Sequence, residues 1–167
     1  DFDNDETYYL AVSDDFALDV SSNENGNAAS TIDFDVDEDV APSVTGGNKT
    51  SGPYHVTTMG YIDTYFSEPI YFDIDGVRTS VLYLTTARIV NNNLITLEDE
   101  DGNAIEFTHN QHAADHAGIN VDTDLFDHNS SYTLTIQGFV DDKGHEMSVY
   151  ELVIETTDGI KPTAMFD

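Results

Sequence analysis

The chain has 167 residues, which is enough for one domain or for one domain with a fragment of another. Its 33 acidic residues against 5 Lys and Arg give a net charge of −28, and this excludes nucleic acid because phosphate binding needs Lys and Arg. Cysteine is absent, which excludes disulfides, thiolate catalysis and cysteine-ligated zinc. No apolar run is long enough for a transmembrane helix, so direct membrane insertion is not expected.

Short runs of alternating apolar and polar residues follow one another along the chain and are separated by turn residues. They are rich in β-branched and aromatic types, which is the signature of strands. In chain order the predicted strands are residues 8–12, 31–36, 40–44, 56–66 (a central strand), 81–85, 93–97, 104–108, 132–136 and 150–154. Residues 101–103 (Asp-Gly-Asn) predict a tight hairpin turn, and only residues 111–117 allow a short helix. This spacing predicts an all-β sandwich.

The order of these features also repeats within the chain. Residues 8–44 run from a strand through a polar Gly turn, a second strand and an acidic linker to a proline, and residues 132–164 follow the same order. The two copies are about one Ig-sized domain apart. We therefore predict closing strands of one Ig-like unit plus an acidic linker over residues 1–39, a complete Ig-like domain over 40–158, and a tail over 159–167 that matches the opening strand of a next repeat.

Five short motifs within residues 40–158 occur in a fixed order. They are Ala41-Pro42, Phe66-Ser67-Glu68-Pro69, Tyr132-Thr133-Leu134-Thr135, Asp141-Asp142-Lys143-Gly144-His145 and Glu155-Thr156-Thr157. In this order they resemble the bacterial Ig-like repeats of S-layer proteins and large surface adhesins. His145 stands where that family usually has Asn, and residues 71–90 and 109–127 are longer than is typical.

The resemblance implies a spacer, stalk or lattice unit rather than an enzyme, located on the outside of the cell. Fold alone does not fix function, so two alternatives stay open. One is a calcium-dependent module that binds carbohydrate or another ligand through exposed Tyr and Asp. The other is a small metal-dependent enzyme built on histidines.

Aspartate clusters are the first candidate sites, because calcium takes 6–8 oxygen ligands and short acidic side chains in loops supply them. One cluster lies at the predicted junction between repeats and another lies late in the chain. Their members are Asp33, Asp35, Asp37 and Asp39, and Asp122, Asp124 and Asp127. These residues predict Ca²⁺ as a possible cofactor, although solvated acidic loops would have the same composition.

A dense group of histidines is the second candidate site. His109, His112 and His116 lie close together in the sequence, and a helix over residues 111–117 would place His112 and His116 on one face, a workable pair for zinc, copper or nickel. The metalloprotease motif needs Glu after the first His, and Ala113 stands there instead. A polar surface insertion is the alternative that we favour.

The last expectation concerns self-association. Residues 1–39 would carry only closing strands, so they would leave a sheet edge and an apolar face open. The tail could donate a strand to that edge in a neighbouring copy or an adjoining repeat, through Ile160, Pro162, Ala164 and Phe166. Such head-to-tail contacts do not close and would build a filament, whereas a tandem array would pair the same strands within one polypeptide.

Overall fold

The computed structural model describes residues 7–13, 29–35 and 40–157, without the side chains of residues 34 and 35. The chain divides into two compact units, residues 1–40 and residues 41–167. In the first unit, β1 (Thr7–Val12) and β2 (Ser30–Asp35) pair antiparallel, in a register that sets Leu10 opposite Ile32. No helix in the described parts of the chain is long and apolar enough to cross a membrane.

The second unit consists mainly of short strands, which confirms the all-β prediction. They are β3 (Val44–Gly47), β4 (Pro53–His55), β5 (Tyr61–Phe66), β6 (Tyr71–Ile74), β7 (Val77–Ser80), β8 (Ile95–Asp99), β9 (Phe107–Asn110), β10 (His116–Val121), β11 (Ser131–Ile136) and β12 (Tyr150–Thr157). A short helix, α1 (Thr86–Asn91), and the 3₁₀ helices Val56–Thr58, Val81–Tyr83 and Thr123–Leu125 lie between them.

Two four-stranded sheets form the sandwich, in the orders β3-β5-β10-β9 and β4-β12-β11-β8. The β6–β7 hairpin is a separate two-stranded sheet inserted between β5 and β8. If that insertion is set aside, β3, β5, β10 and β9 correspond to strands A, B, E and D of the immunoglobulin sandwich, and β8, β11 and β12 correspond to strands C, F and G. Strand β4 is an addition beside strand G. The pairing of β4 with β12 is parallel, whereas the other ladders of the two sheets are antiparallel.

The hydrophobic core lies between the two sheets, where every second side chain of each strand points inward. In the first sheet Ile62 pairs with Ile119, and in the second Leu134 pairs with Leu152. The predicted core residues Ile62, Phe66, Leu84, Ile95, Leu134, Ile136, Leu152 and Ile154 are all buried. The remaining predicted core residue, Phe107, is only partly buried and packs against this cluster.

Four predicted strands differ from the structure, and one of them, predicted over residues 104–108, begins only at Phe107 and continues to Asn110. Residues 81–85 were expected to be extended, but Val81–Tyr83 is a 3₁₀ helix because the Ser80 side chain accepts a hydrogen bond from the Leu82 N–H. The central strand predicted over 56–66 is confined to β5, since His55 caps a 3₁₀ helix over Val56–Thr58. The strand predicted over residues 40–44 begins only at Val44.

Two local features follow directly from side-chain chemistry. The turn predicted at residues 101–103 is confirmed: Gly102 has a φ of +81°, and the Asp99 carboxylate accepts the Asn103 N–H at 2.8 Å. Tyr132 is buried near the start of β11, and its hydroxyl accepts a hydrogen bond from the Asp127 N–H at 2.7 Å. This arrangement is the tyrosine corner of Ig-type sandwiches.

The chain passes through the sandwich from one end to the other. β3 begins where β5 ends, since Val44 pairs with Phe66, and it runs toward the start of β5. At that second end, just beyond β3, the Lys49 ammonium donates to the Thr58 carbonyl at 2.7 Å. β4 leads to the same end and β12 runs parallel to it, with Thr157 paired to His55. The first strand of this unit therefore begins at one end of the sandwich, and the last strand finishes at the other.

Candidate functional site

The histidine cluster does not lie on a helix, so the arrangement that a helix over residues 111–117 would have given His112 and His116 does not form. The short helix of this unit lies at Thr86–Asn91 instead. Residues 111–113 are irregular, residues 114–115 form a turn, and His116 starts strand β10. This segment is extended rather than helical because Ala117, Ile119 and Val121 alternate into the core. The strand is also hydrogen-bonded to β5 on one side and to β9 on the other. Tertiary pairing thus overrides the local sequence pattern.

The three histidines have different surroundings. His112 is exposed, and its ring meets the Tyr61 ring edge-on at 5.9 Å between centroids. His116 packs against the Tyr65 ring at 4.6 Å. His109 points to the inner side of the sheet, because it pairs with Ile119 of the core. Within residues 7–13, 29–35 and 40–157, no group of three or more His, Asp or Glu side chains is arranged to hold a metal ion.

His109 is held as a neutral ring. Its Nδ1 lies 3.0 Å from the Leu84 carbonyl oxygen, and its Nε2 is buried without a hydrogen-bond partner. Burial lowers the pKa of His109, and the Leu84 carbonyl opposes this shift more weakly. Because the folded pKa lies below the unfolded value of about 6.5, the stability that the neutral ring contributes is complete above that value and is lost as the pH falls.

We expect the free energy of unfolding to fall between about pH 7.5 and pH 5.5, and to fall less in a His109→Gln variant. The amide of Gln can still donate to the Leu84 carbonyl but does not titrate. Urea unfolding at both pH values measures the difference, with His112→Gln as a control at an exposed histidine. If His109→Gln and the unmodified chain lose the same stability, His109 is not the acid-sensitive group.

The outer face of the first sheet carries the other notable side chains. On β5 this face bears Tyr61, Asp63 and Tyr65, because Ile62 points to the core. Directly opposite on β10 lie Asn120, Gly118 and His116, and β9 adds Asn110 beside Gly118 and Thr108 beside Asn120. We call these residues the β5–β10 face. Together they form a polar and aromatic surface without Lys, Arg or aliphatic side chains.

Asp63 is the unusual member of the β5–β10 face. It is only 6% exposed although it lies on the solvent side of the sheet, and its Oδ1 has no hydrogen-bond partner. Its backbone is fixed from the β3 side, since the Asp63 N–H donates to the Asn48 side chain at 2.8 Å. The Asn48 amide also donates to the Tyr61 carbonyl at 3.1 Å, so Asn48 acts as an extra residue of the ladder.

Tyr61 covers the Asp63 carboxylate. A Cβ built on Gly118 would lie 3.2 Å from both the Asp63 Oδ1 and the Tyr61 hydroxyl oxygen, and 3.3 Å from the Tyr61 ring. Glycine at position 118 therefore leaves the space in which the two groups meet. Burial, the charge of Asp63 and a hydrogen bond with the Asp63 carboxylate raise the pKa of Tyr61 to about 12, so the phenol keeps its proton at neutral pH.

The late acidic cluster has a structural role in this fold. The Asp122 side chain accepts the Asp124 N–H at 3.1 Å and so caps the 3₁₀ helix Thr123–Leu125. Asp124 and Asp127 are exposed, and the Asp127 N–H belongs to the tyrosine corner. The structure does not bring these three carboxylates together as a ligand set.

The early acidic cluster is described only in part. Asp33 is exposed on β2, whereas the side chain of Asp35 and residues Asp37 and Asp39 lie outside the described residues. Calcium binding there stays a prediction. The tail residues proposed for self-association, Ile160, Pro162, Ala164 and Phe166, also lie outside the described residues.

Comparisons with known proteins complete the description. No known protein family and no curated protein matches the chain. Among solved structures, CopC from Methylosinus trichosporium OB3b is similar with a TM-score of 0.48 and 9% identity, over 73% of this chain and 99% of that one. The N-terminal part of the bacterial S-layer protein SbsC is similar with a TM-score of 0.45 and 10% identity, over 72% of this chain and 24% of that one.

A third solved structure, the BSP domain of a biofilm associated protein, has a TM-score of 0.34 and 19% identity, over 94% of this chain and 20% of that one. The strand order, rather than these likenesses, identifies the sandwich as Ig-type.

Proposed function

We propose that the chain is a non-enzymatic structural module of an extracellular surface polymer, such as an adhesin stalk, an S-layer or a filament. The observation that carries the proposal is the path of the chain, which enters the sandwich at one end and leaves it at the other. Such a unit can be joined head to tail into a line. The net charge of −28 favours solubility of an exposed polymer, and the five motifs resembling surface repeats support the same role.

The pairing of β4 with β12 suits a module that transmits force. The two strands are parallel, with Glu155 beside Pro53 and Thr157 beside His55. Tension applied at the two ends of the sandwich pulls these parallel strands in opposite directions along their length. All of their hydrogen bonds are then loaded at once, whereas an antiparallel pair pulled from adjacent ends opens one bond at a time.

Single-molecule pulling tests this function. The chain has no cysteine, so single cysteines introduced at residues 41 and 157 give defined handles. In a second protein, handles at residues 130 and 157 unzip β11 from β12, because Ser131 pairs with Glu155. We expect a clearly higher unfolding force in the first geometry. Equal forces would contradict a role in transmitting tension, and antibodies against residues 41–157 that fail to label intact source cells would contradict the surface location.

Self-association belongs to the same proposal. Leu10 is 55% exposed and Ile32 is 60% exposed on the β1–β2 pair, and a two-stranded sheet alone is marginal in water. A strand from the segment 160–166 of an adjoining repeat or another copy would cover this pair. We expect the full chain to form larger species in sedimentation and a chain ending at residue 158 to stay monomeric. A monomeric full chain at high concentration with calcium present would exclude strand exchange.

Calcium is the proposed stabiliser of the acidic linker. An ion that binds only the folded state adds RT ln(1 + [L]/Kd), about 2.7 kcal/mol at a hundredfold excess over Kd. We expect the melting midpoint to be higher in millimolar calcium than in chelator at matched ionic strength. A variant with Asn at positions 33, 35, 37 and 39 should lose that difference, whereas Asn at 122, 124 and 127 should keep it. Equal melting midpoints of the unmodified chain in calcium and in chelator would show that calcium does not stabilise the fold.

A further inference from the structure

The β5–β10 face combines two features that a purely structural surface does not need. It places a nearly buried carboxylate with an unpaired oxygen on the solvent side of a sheet. It also places two tyrosines on either side of that carboxylate, at positions two residues before and two residues after it on β5. A buried acceptor without a partner is destabilising, so native proteins normally supply a hydrogen-bond donor to such an oxygen.

We infer that the β5–β10 face binds a neutral saccharide, with a sugar hydroxyl donating to Asp63 Oδ1. The space left by Gly118 borders this oxygen and is covered by the Tyr61 ring. Binding therefore requires Tyr61 to rotate away from the Asp63 carboxylate. A sugar ring then lies against Tyr65, which is 36% exposed, while its hydroxyl reaches the carboxylate. This site is independent of the linking role proposed above.

The surroundings of the site select a neutral, hydroxyl-rich ligand. Asp63 repels anionic groups, as does Asp115, whose carboxylate lies 3.7 Å from the His116 ring, and no Lys or Arg is among the residues of the β5–β10 face to attract a phosphate, sulfate or uronate. The amide side chains of Asn110 and Asn120 and the hydroxyl of Thr108 lie on the same face and offer both donors and acceptors to further sugar hydroxyls. Aromatic faces with a few convergent polar groups are the usual composition of such sites.

Binding is measured on the full chain with cellohexaose, maltohexaose, laminarihexaose and mannohexaose as neutral probes. Hexaguluronate serves as the anionic probe and a lysine hexapeptide as the cationic one. Calorimetry gives the affinity, and amide resonances locate the site. We expect at least one neutral hexasaccharide to bind and to shift the amide signals of residues 61–65 and 116–120, with no binding of hexaguluronate.

Variants separate a binding site from a packing feature. Asp63→Asn and Tyr65→Ala should each weaken binding by about tenfold, the loss expected when one charge-assisted hydrogen bond or one stacking surface is removed. Gly118→Ala should block binding, because its Cβ fills the space beside Asp63. Tyr83→Ala is the matched control, since Tyr83 is 72% exposed and lines a groove with Ile74 and Arg88 rather than with residues of the β5–β10 face, and it should bind like the unmodified chain.

Three results would overturn the inference. They are no binding of any neutral hexasaccharide, binding of the lysine peptide at this face in place of the sugars, and equal affinities of Tyr65→Ala and Tyr83→Ala. Tyr65 is partly exposed, so its variant is expected to fold even if Asp63→Asn or Gly118→Ala does not. The amide spectrum of each variant, recorded without ligand, reports whether it has folded.

Discussion

Replacing Asp141 by Ala is expected to lower the free energy of unfolding by about 3–5 kcal/mol, because four hydrogen bonds to one buried carboxylate are lost together. The Asp141 Oδ1 accepts the backbone N–H groups of Lys143 and His145, each at 2.8 Å, and that of Gly144 between them. The Oδ2 lies 2.7 Å from the His145 Nδ1. One carboxylate thus holds the whole turn between β11 and β12.

The neighbouring residue provides the control. Asp142 is exposed, and the Arg78 guanidinium bonds its backbone carbonyl rather than its side chain. Asp142→Ala should therefore change stability by no more than about 0.5 kcal/mol. Urea unfolding of both variants at neutral pH measures the two losses. Similar losses would mean that removal of an acidic charge, and not the hydrogen-bonded turn, sets the effect.

The effect of Asp141 also depends on pH. Burial alone would raise the pKa of Asp141, but hydrogen bonds from the His145 backbone and ring and from the Gly144 and Lys143 N–H groups outweigh it, and the pKa lies below its usual range. The stabilisation is therefore complete above the unfolded pKa of about 3.9 and is lost as the pH falls through the folded value. The gap between Asp141→Ala and the unmodified chain should narrow in acid.

Strong alternation made most of the core predictable. In β11 and β12, Leu134, Ile136, Leu152 and Ile154 occupy alternate positions, and Thr156 continues the buried face at the end of β12. A one-residue shift would move each of these side chains to the solvent face, so the pattern fixes which face is buried. The sandwich and its last two strands could therefore be predicted from the sequence alone.

Strand β10 shows where local patterns fail. Its sequence from His116 to Val121 includes Ala117 and Gly118, which favour strands weakly, and the sequence pattern predicted no strand there and allowed a short helix over residues 111–117. It is extended because β5 and β9 supply hydrogen-bond partners on both sides. Those partners are far away in the sequence, and only the folded sheet brings them together.

The candidate site around Asp63 could not be predicted either, because it also depends on residues that are far apart in the sequence. The alternation of β5 predicts that Asp63 points outward, and outward carboxylates are normally solvated. Its burial depends on Gly118 across the ladder, on Tyr61 above it and on Asn48 beyond the edge of β3. The histidine cluster did indicate this region, since His112 and His116 both rest on tyrosines of the β5–β10 face.

Gly47→Ala is expected to cost about 3 kcal/mol, at the upper end of what overpacking usually costs, because the clash is with backbone and not with a flexible side chain. A Cβ on Gly47 would lie only 2.4 Å from the Asp63 carbonyl oxygen, so β3 would have to move away from β5. That movement would also disturb Asn48, which bonds the Asp63 N–H and the Tyr61 carbonyl.

The adjacent residue Gly46 provides the control for Gly47→Ala. A Cβ on Gly46 would meet only the Tyr65 ring, at an ordinary 3.9 Å, so Gly46→Ala should change stability by no more than about 0.5 kcal/mol. Both variants add one methyl group to the same strand, and they differ only in what that group meets. Chemical unfolding gives the two losses, and hydrogen exchange of the residue 48 amide, which donates to Asp63, reports whether β3 has detached. Equal stabilities of Gly46→Ala and Gly47→Ala would show that β3 does not lie against β5 as closely as described. The hydrogen bonding of Asn48 to Asp63 would then also be in conflict with the result.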